Sequence, residues 1–261
     1  MGAGRPYYHE FAWAYDLLQT DPVAPRIDFI QLVLRRHGIA ANSTVLDAGC
    51  GTGRYAVELA QRGYQVWGVD RSPDLIAIAH DRALAVASSL KLMVSDLLAI
   101  SFARPFDAIL CRGVLNDFVE ESDRSAIFHQ FALWLQPDGI LIFDVREWAR
   151  TVERYEKNST HEQTIPLPDG TLRFHSETAL DRWSRQLRIR EGFELHRAGA
   201  QTSSMNDFVM GCWTSDEIRA RLFAAGFSQS EAYWNYGESD RTWSDRLVIV
   251  ARKRRGLPDS T

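Results

Sequence analysis

Thr44-Val45-Leu46-Asp47-Ala48-Gly49-Cys50-Gly51-Thr52-Gly53 is the stretch whose reading decides the fold. Three β-prone residues run into an aspartate and a glycine-rich turn, and residues 54–62 then read as a helix stopped by Gly63. Strand, tight loop and helix in that order bring backbone N–H groups close to a ligand at the carboxyl end of the strand. The spacing is G-x-G-x-G, with Arg54 standing where a dinucleotide fingerprint G-x-G-x-x-G needs its last glycine.

Working outward, the pattern repeats. Residues 65–69 read as a second strand with Asp70 at its end, and Ser72-Pro73 opens a helix, Ser as N-cap and Pro at the first helical position. Residues 90–94 form a third strand ending near Asp96, and 106–111 a fourth. A helix over about 122–135 stops at Gln136-Pro137-Asp138-Gly139, and 140–145 form a fifth strand. Upstream, Ile27, Ile30 and Leu34 recur at helical spacing before Gly38. Strands alternating with helices predict βαβ units in a doubly wound, mostly parallel sheet.

After Arg146 the rhythm changes. Stretches 171–181, 186–194 and about 203–213 are strand-like with no helix between them, separated by Asp169-Gly170, residues 182–185 and Ala198-Gly199-Ala200. They predict an inserted antiparallel β segment. Thr214 and Glu217 make a capping box for a helix to about Ala225, with Gly226 at its end. Strands near 228–236 and 246–251 bring the main sheet to seven, and 253–261 read as a disordered tail. The expectation is a single domain: a helical lid over 1–41, a cofactor-binding core over 42–145, strands of 146–213 covering an acceptor site, and 214–253 completing the sheet.

Charge refines the ligand. An Asp47 carboxylate at the strand end would repel a pyrophosphate but favour ammonium and sulfonium charges, and S-adenosylmethionine carries both. Asp70 is placed to accept from a ribose diol, a feature shared with dinucleotide sites. A nicotinamide-dependent oxidoreductase and a non-catalytic S-adenosylmethionine-binding protein stay open as alternatives at this point. The formal charge of −4 over 261 residues offers no broad footprint for nucleic acid. Cys50, Cys111 and Cys212 are far apart, with no C-x-x-C pair, so neither a disulfide framework nor a zinc site is expected. No stretch approaches the roughly 20 apolar residues of a membrane span, and the first ten residues lack a signal-peptide core. Pro6 stands where a myristoylation signal wants Ser or Thr. A cytoplasmic protein is expected.

Residues 45–53 resemble the first motif of class I S-adenosylmethionine-dependent methyltransferases nearly verbatim, and Asp70, Asp96, the 106–111 strand and the turn 135–139 resemble that family's later motifs in order. In that turn a single glycine, Gly139, precedes Ile140. The resemblance covers about residues 42–145 and, more loosely, the C-terminal helix and strands. It implies that Gly49 and Gly51, with Cys50 between them, approach the methionine moiety and that Asp47 helps hold its amino group. Asp70 would take the ribose hydroxyls, Arg71 would pack beside the adenine, and Asp96 with Leu97 would contact its edge. Cys111 and Arg112 would line the methionine side, and Tyr8 or Tyr15 would fold over the cofactor.

The acceptor is less legible. Methyl transfer from sulfonium is an in-line displacement that needs alignment and dryness, and a base only when the acceptor is protonated or a hydroxyl. Asn116-Asp117 lie just past the fourth strand, beside the expected methyl; a helix cap is the bland alternative. Asp117, His175 and Tyr236 are the catalytic candidates. His129 sits among Ile127, Phe128 and Phe131 and reads as structural, and His161, His175 and His196 have no metal-ligand spacing. Trp148, Trp183, Trp213, Tyr233, Trp234 and Tyr236 read as core or strand pairs, or as walls of an acceptor pocket. Arg182, Arg185, Arg188 and Arg190 read as a solvated strand face. The fourth strand is followed by Arg112-Gly113-Val114-Leu115-Asn116 rather than the Asn-Pro-Pro-Tyr-like turn of enzymes that methylate base amines. A small-molecule N or O acceptor follows.

Overall fold

The computed structural model describes residues 5–19, 22–86, 90–237 and 244–255. After α1 (Tyr15–Leu18) and α2 (Val23–Arg36), the strands β1 (Thr44–Ala48), β2 (Gln65–Asp70), β3 (Lys91–Val94), β4 (Phe106–Cys111) and β5 (Leu135–Arg146) run parallel. Three helices fall between them: α3 (Arg54–Gln61), α4 (Pro73–Ala85) and α5 (Glu121–Trp134). Next come α6 (Trp148–Lys157) and the antiparallel strands β6 (Thr160–Leu167), β7 (Gly170–Asp181), β8 (Gln186–Arg197) and β9 (Ala200–Gly211). The chain closes with α7 (Ser215–Ala224), β10 (Phe227–Trp234) and β11 (Arg246–Lys253).

The main sheet has the order β10-β11-β5-β4-β1-β2-β3, with β11 antiparallel to both neighbours, and β6 to β9 make a separate sheet. Period-two alternation explains why helices cover both faces. Leu46, Ala48, Ile109 and Cys111 face a cluster with α5 and α7 through Phe128, Phe131, Ile218 and Leu222. Val45, Ala108 and Leu110 face the other side, against Ile27, Ile30 and Leu34 of α2 and Ala56 and Leu59 of α3. Within residues 1–41, then, α2 covers the sheet, whereas Tyr7, Phe11 and Ala14 pack against Leu172 and Phe193 of the inserted sheet.

Local signals hold where caps were read. Ser72 Oγ accepts from Leu75 N at 3.1 Å and Thr214 Oγ1 from Glu217 N at 3.2 Å. The Glu217 carboxylate pairs with Arg124 and Arg221. Four details differ from expectation. Leu135 already pairs with Phe106, so β5 starts five residues early and Gln136 to Gly139 bulge out of the ladder, Asp138 at φ +65°. Helix α6 interrupts the expected run of strands: the Glu147 carboxylate caps it by accepting from Arg150 N, and Trp148 and Tyr155 bury one face. Strand β6 has only two apolar residues and carries Pro166, which is tolerated because β6 is an edge. Lys253, expected in a disordered tail, ends β11, and Arg254 N donates to Gly226 O at 3.0 Å. The rest of that expected tail, 256–261, lies outside the described residues. No helix among the described residues is long and apolar enough to cross a membrane.

Candidate functional site

The site grows from the turn after β1. Gly49 N and Cys50 N donate to Val69 O at 2.7 and 3.0 Å, which folds the loop over the end of β2. Gly49 has φ +80°, and a Cβ there would stand 2.2 Å from Val114 Cγ2, so only glycine fits. Gly51 N donates to Asp70 Oδ2 and Ser72 N to Asp70 Oδ1, both at 2.9 Å. The Asp70 carboxylate is thereby aimed by two backbone groups, while each oxygen keeps a lone pair. Asp96 Oδ1 accepts from Leu98 N at 2.8 Å. Asp70, Arg71, Asp96, Leu97 and Asp117 line one cavity together with Gly49 and Gly51.

A second, larger cavity lies under the inserted sheet. Alternation on those strands sets Phe174, Ser176 and Thr178 of β7 beside Ile189 and Glu191 of β8 on the inner face. Tyr8, Tyr15, Gly49, Gly51, Arg112 and Gly113 line both cavities. Tyr15 is positioned by its neighbour Asp16, which accepts from Thr52 Oγ1 at 2.8 Å and pairs with Arg82. Arg5 donates to both oxygens of Glu191, at 2.9 and 3.1 Å, and to Tyr8 Oη at 2.8 Å, which ties the N-terminal segment to the inserted sheet.

Several side chains are electrostatically distinctive. Burial pushes the Asp47 carboxyl up to about 7, with Arg112 acting against the shift. Asp70 and Asp117 are also raised by burial. Among the described residues, no hydrogen bond or ion pair reaches the Asp117 carboxylate. Burial alone would raise Asp144, but Arg246 and Arg112 more than offset it and hold the carboxyl below its usual range. Asp144 accepts from Gly113 N at 3.0 Å, Arg246 Nη1 at 3.1 Å and Tyr236 Oη. Arg112 donates through Nε to Tyr236 Oη at 2.6 Å and stacks 3.5 Å from the Tyr55 ring centre. Its two terminal nitrogens make no hydrogen bond among the described residues.

Of the residues expected from sequence, Tyr15, Asp47, Gly49, Gly51, Asp70, Arg71, Asp96, Leu97, Arg112, Asp117 and Tyr236 all line one cavity or both, and Tyr8 does as well. Cys50 borders the larger cavity, yet its side chain packs in the apolar layer of α2 and α3. Two expectations are corrected. Cys111 is fully buried among Phe128, Phe143 and Leu115 and lines neither cavity, because as the last residue of β4 it points to the α5 side. His175 pairs across the ladder with Gly192, its ring lying over that glycine on the outer face, opposite Phe174 and Ser176. Sequence reasoning missed Asp144, Arg146, Glu191 and Arg246, which line the larger cavity together with His161, one of the histidines named from sequence. Only Asp144 left a signal, as a charge inside the apolar run 140–145 at a strand end. Among the described residues, no group of three or more His, Cys, Asp or Glu could hold a metal ion.

Residues 45–139 match the family described as a methyltransferase domain. Over 258 residues the chain is 36% identical to a protein of Geobacillus sp. (strain WCH70) named as a methyltransferase, covering 94% of this chain and 99% of that one. The chain belongs to the class I S-adenosylmethionine-dependent methyltransferases.

S-adenosylmethionine is therefore this methyltransferase's cofactor, and the nicotinamide and non-catalytic alternatives give way. The loop shaped for glycine, the aimed Asp70 carboxylate and the free acceptor of Asp96 fit an adenosine with a methionine tail. The methyltransferase is also 32% identical over 232 residues to a glycine/sarcosine N-methyltransferase of Aphanothece halophytica, covering 87% and 81% of the two chains. In fold it is similar to the sugar N-methyltransferase KedS8 from Streptoalloteichus sp., with a TM-score of 0.78, 18% identity and 98% of each chain covered. A similar likeness holds to CalS10, an amino pentose methyltransferase from Micromonospora echinaspora, with a TM-score of 0.73, 21% identity and coverage of 97% and 100%.

Proposed function

We propose that this methyltransferase methylates a nitrogen atom of a small molecule enclosed beneath the inserted sheet. One observation carries the reading: six residues line both cavities, so the space beside Asp70 and Asp96 opens into a second chamber roofed by β6 to β9. A roofed chamber suits a small acceptor. The relatives named as N-methyltransferases support nitrogen over oxygen.

In this reading Asp70 receives the ribose hydroxyls, Asp96 and Leu97 border the adenine, and Arg71 packs beside it. Gly49, Cys50 and Gly51 bring backbone close to the methionine portion; Asp47 takes its amino group and the terminal nitrogens of Arg112 its carboxylate. The bound cofactor supplies a methyl group already activated by a positively charged sulfur. The task left to the chain is alignment and exclusion of water. Tyr8 and Tyr15, held by Arg5 and by the bonds of Asp16, screen the junction of the two cavities from solvent. The unpartnered Asp117 carboxylate, with its raised affinity for a proton, orients the acceptor amine and accepts the proton that the amine sheds. Tyr236 is no free base: it donates to Asp144 and accepts from Arg112, so it holds Arg112 in place.

The test is incubation with S-adenosylmethionine and matched amine, hydroxyl and carboxylate acceptors, with S-adenosylhomocysteine and methylated product followed by mass spectrometry. Methylation of amines is expected. Product from hydroxyl acceptors alone would overturn the reading.

A further inference from the structure

Among the described residues, the chamber wall formed by the ends of β5 and β11 and by α6 has more guanidinium than carboxylate. Arg146 and Arg246 face each other in the β5–β11 register, and Arg154 reaches the same place from α6. Arg146 Nη1 and Arg154 Nη1 both donate to the fully buried Asp245, at 2.5 and 2.8 Å. Arg246 Nη1 donates to Asp144 at 3.1 Å, and Arg112 Nε lies 3.8 Å from the same carboxylate. Among the described residues two aspartates thus serve four guanidiniums, and Asp144 also takes Gly113 N and Tyr236 Oη. Hydrogen-bond acceptors run short as well, since Arg146 Nε is buried with no partner among the described residues. Buried positive charge without a counter-charge is unfavourable unless something else supplies it.

We infer that the acceptor carries an anionic group, a carboxylate or a phosphate, bound against Arg146, Arg154 and Arg246. The inference rests on the reading of the chamber as the acceptor site and names the class of amine that it takes. Arg112 is engaged by the cofactor's own carboxylate in that reading, which leaves three arginines facing two aspartates. Planar guanidiniums suit forked hydrogen bonding to either anion. The inserted sheet adds the uncharged polar groups of Ser176, Thr178 and Gln163, and its one carboxylate in the chamber among the described residues, Glu191, is offset by both hydrogen bonds from Arg5. Asp117 lines the adjoining cavity beside the cofactor site and feels Arg246 without contacting it, so the carboxylate for the amine and the arginine wall for the anion belong to two connected spaces.

Calorimetry on protein saturated with S-adenosylhomocysteine tests this, because the cofactor's own carboxylate is then already in place. The probes are glycine, O-phosphoethanolamine and ethanolamine, the last sharing the amine and lacking the anion. At least one of the anionic amines is expected to bind about tenfold or more tighter than ethanolamine, and the preferred one tells carboxylate from phosphate. Arg154, nearly half exposed, can be changed without opening the core. Arg154→Gln is expected to weaken the preferred anionic amine about tenfold and Arg154→Lys to restore part of it, with ethanolamine and S-adenosylhomocysteine unchanged. Equal binding of ethanolamine and both anionic amines, or anion binding indifferent to Arg154→Gln, overturns the inference. Failure of S-adenosylhomocysteine to bind would instead break the cofactor assignments of the preceding section. The arginine wall is then judged by whether Arg154→Gln weakens inorganic phosphate binding to the unloaded protein, and indifference there overturns it too.

Discussion

The two cavities that meet at Gly49 carry opposite charge. Among the described residues, the one beside the ends of β1 to β4 is lined by four aspartates and two arginines, whereas the one beneath the inserted sheet is lined by seven arginines and three carboxylates. The acidic side, with Asp47 at the border of the other cavity, suits a positively charged cofactor, and the basic side suits an acceptor that brings an anion. Their origins differ as much as their signs. Asp70 ends β2, while Asp96 and Asp117 lie in the loops that follow β3 and β4 of the same sheet. Arg5, Arg112, Arg154 and Arg246 come from the N-terminal segment, a strand end, a helix and the last strand. A parallel sheet gathers its own loop residues at one edge, but an arginine wall needs distant segments to be packed first.

The largest effect should come from the acidic side. Asp70→Ala removes a charged acceptor and leaves Gly51 N and Ser72 N without their partner, so S-adenosylhomocysteine affinity measured by calorimetry should fall about a hundredfold. If it stayed within a few-fold, the ribose assignment would be wrong. Gly49→Ala comes next. Its methyl meets Val114 at a backbone angle unfavourable for alanine, and denaturant unfolding should show a loss of about 2 kcal/mol, roughly thirtyfold in the folding equilibrium. Adding Val114→Ala should recover part of that loss.

Asp47 sharpens the contrast through pH. Its proton must leave before the carboxylate can receive a cation, so cofactor affinity should be about tenfold lower at pH 6 than at pH 7.5, and flat in Asp47→Asn over that range. The stability linkage has the opposite sense. The folded carboxyl holds its proton to about 7, whereas the unfolded one releases it near pH 4, so the stability that burial allows at low pH is lost as pH rises through 7. Asp47→Asn should therefore raise the melting temperature of the unloaded protein more at pH 8 than at pH 5. The smallest effect is expected on the outer face of the roof: His175→Ala should leave turnover within about twofold, since its ring covers Gly192 outside the chamber. A loss of a hundredfold there would reverse the assignment of inner and outer faces.

The mistaken elements share a physical cause. Strand β6 pairs along one side only and faces solvent on alternate residues, so it carries little of the apolar signature that marks β1 or β4. Helix α6 was hidden in a segment dominated by strand-like alternation, although Trp148, Thr151 and Tyr155 have helical spacing. The resemblance puts Cys111 at the methionine side and His175 is a candidate on its residue type alone, and side-chain direction turns both away from the cavities. A one-residue step along a strand moves a group to the other face, and neither position had a neighbouring pattern strong enough to fix the phase.

The amino-acid sequence by itself determined the doubly wound sheet, the glycine turn and the aspartates at successive strand ends, because those features depend on local propensity and on periodicities read within a few residues. The tertiary structure alone decided that Arg112 stands between Tyr55, Tyr236 and Asp144, that Arg5 reaches Glu191 across 186 residues, and that Arg146 and Arg154 share one buried aspartate. Those contacts join positions with no fixed spacing. Their chemistry lies in charges brought together only when the inserted sheet, the N-terminal segment and the last strand close over the same space.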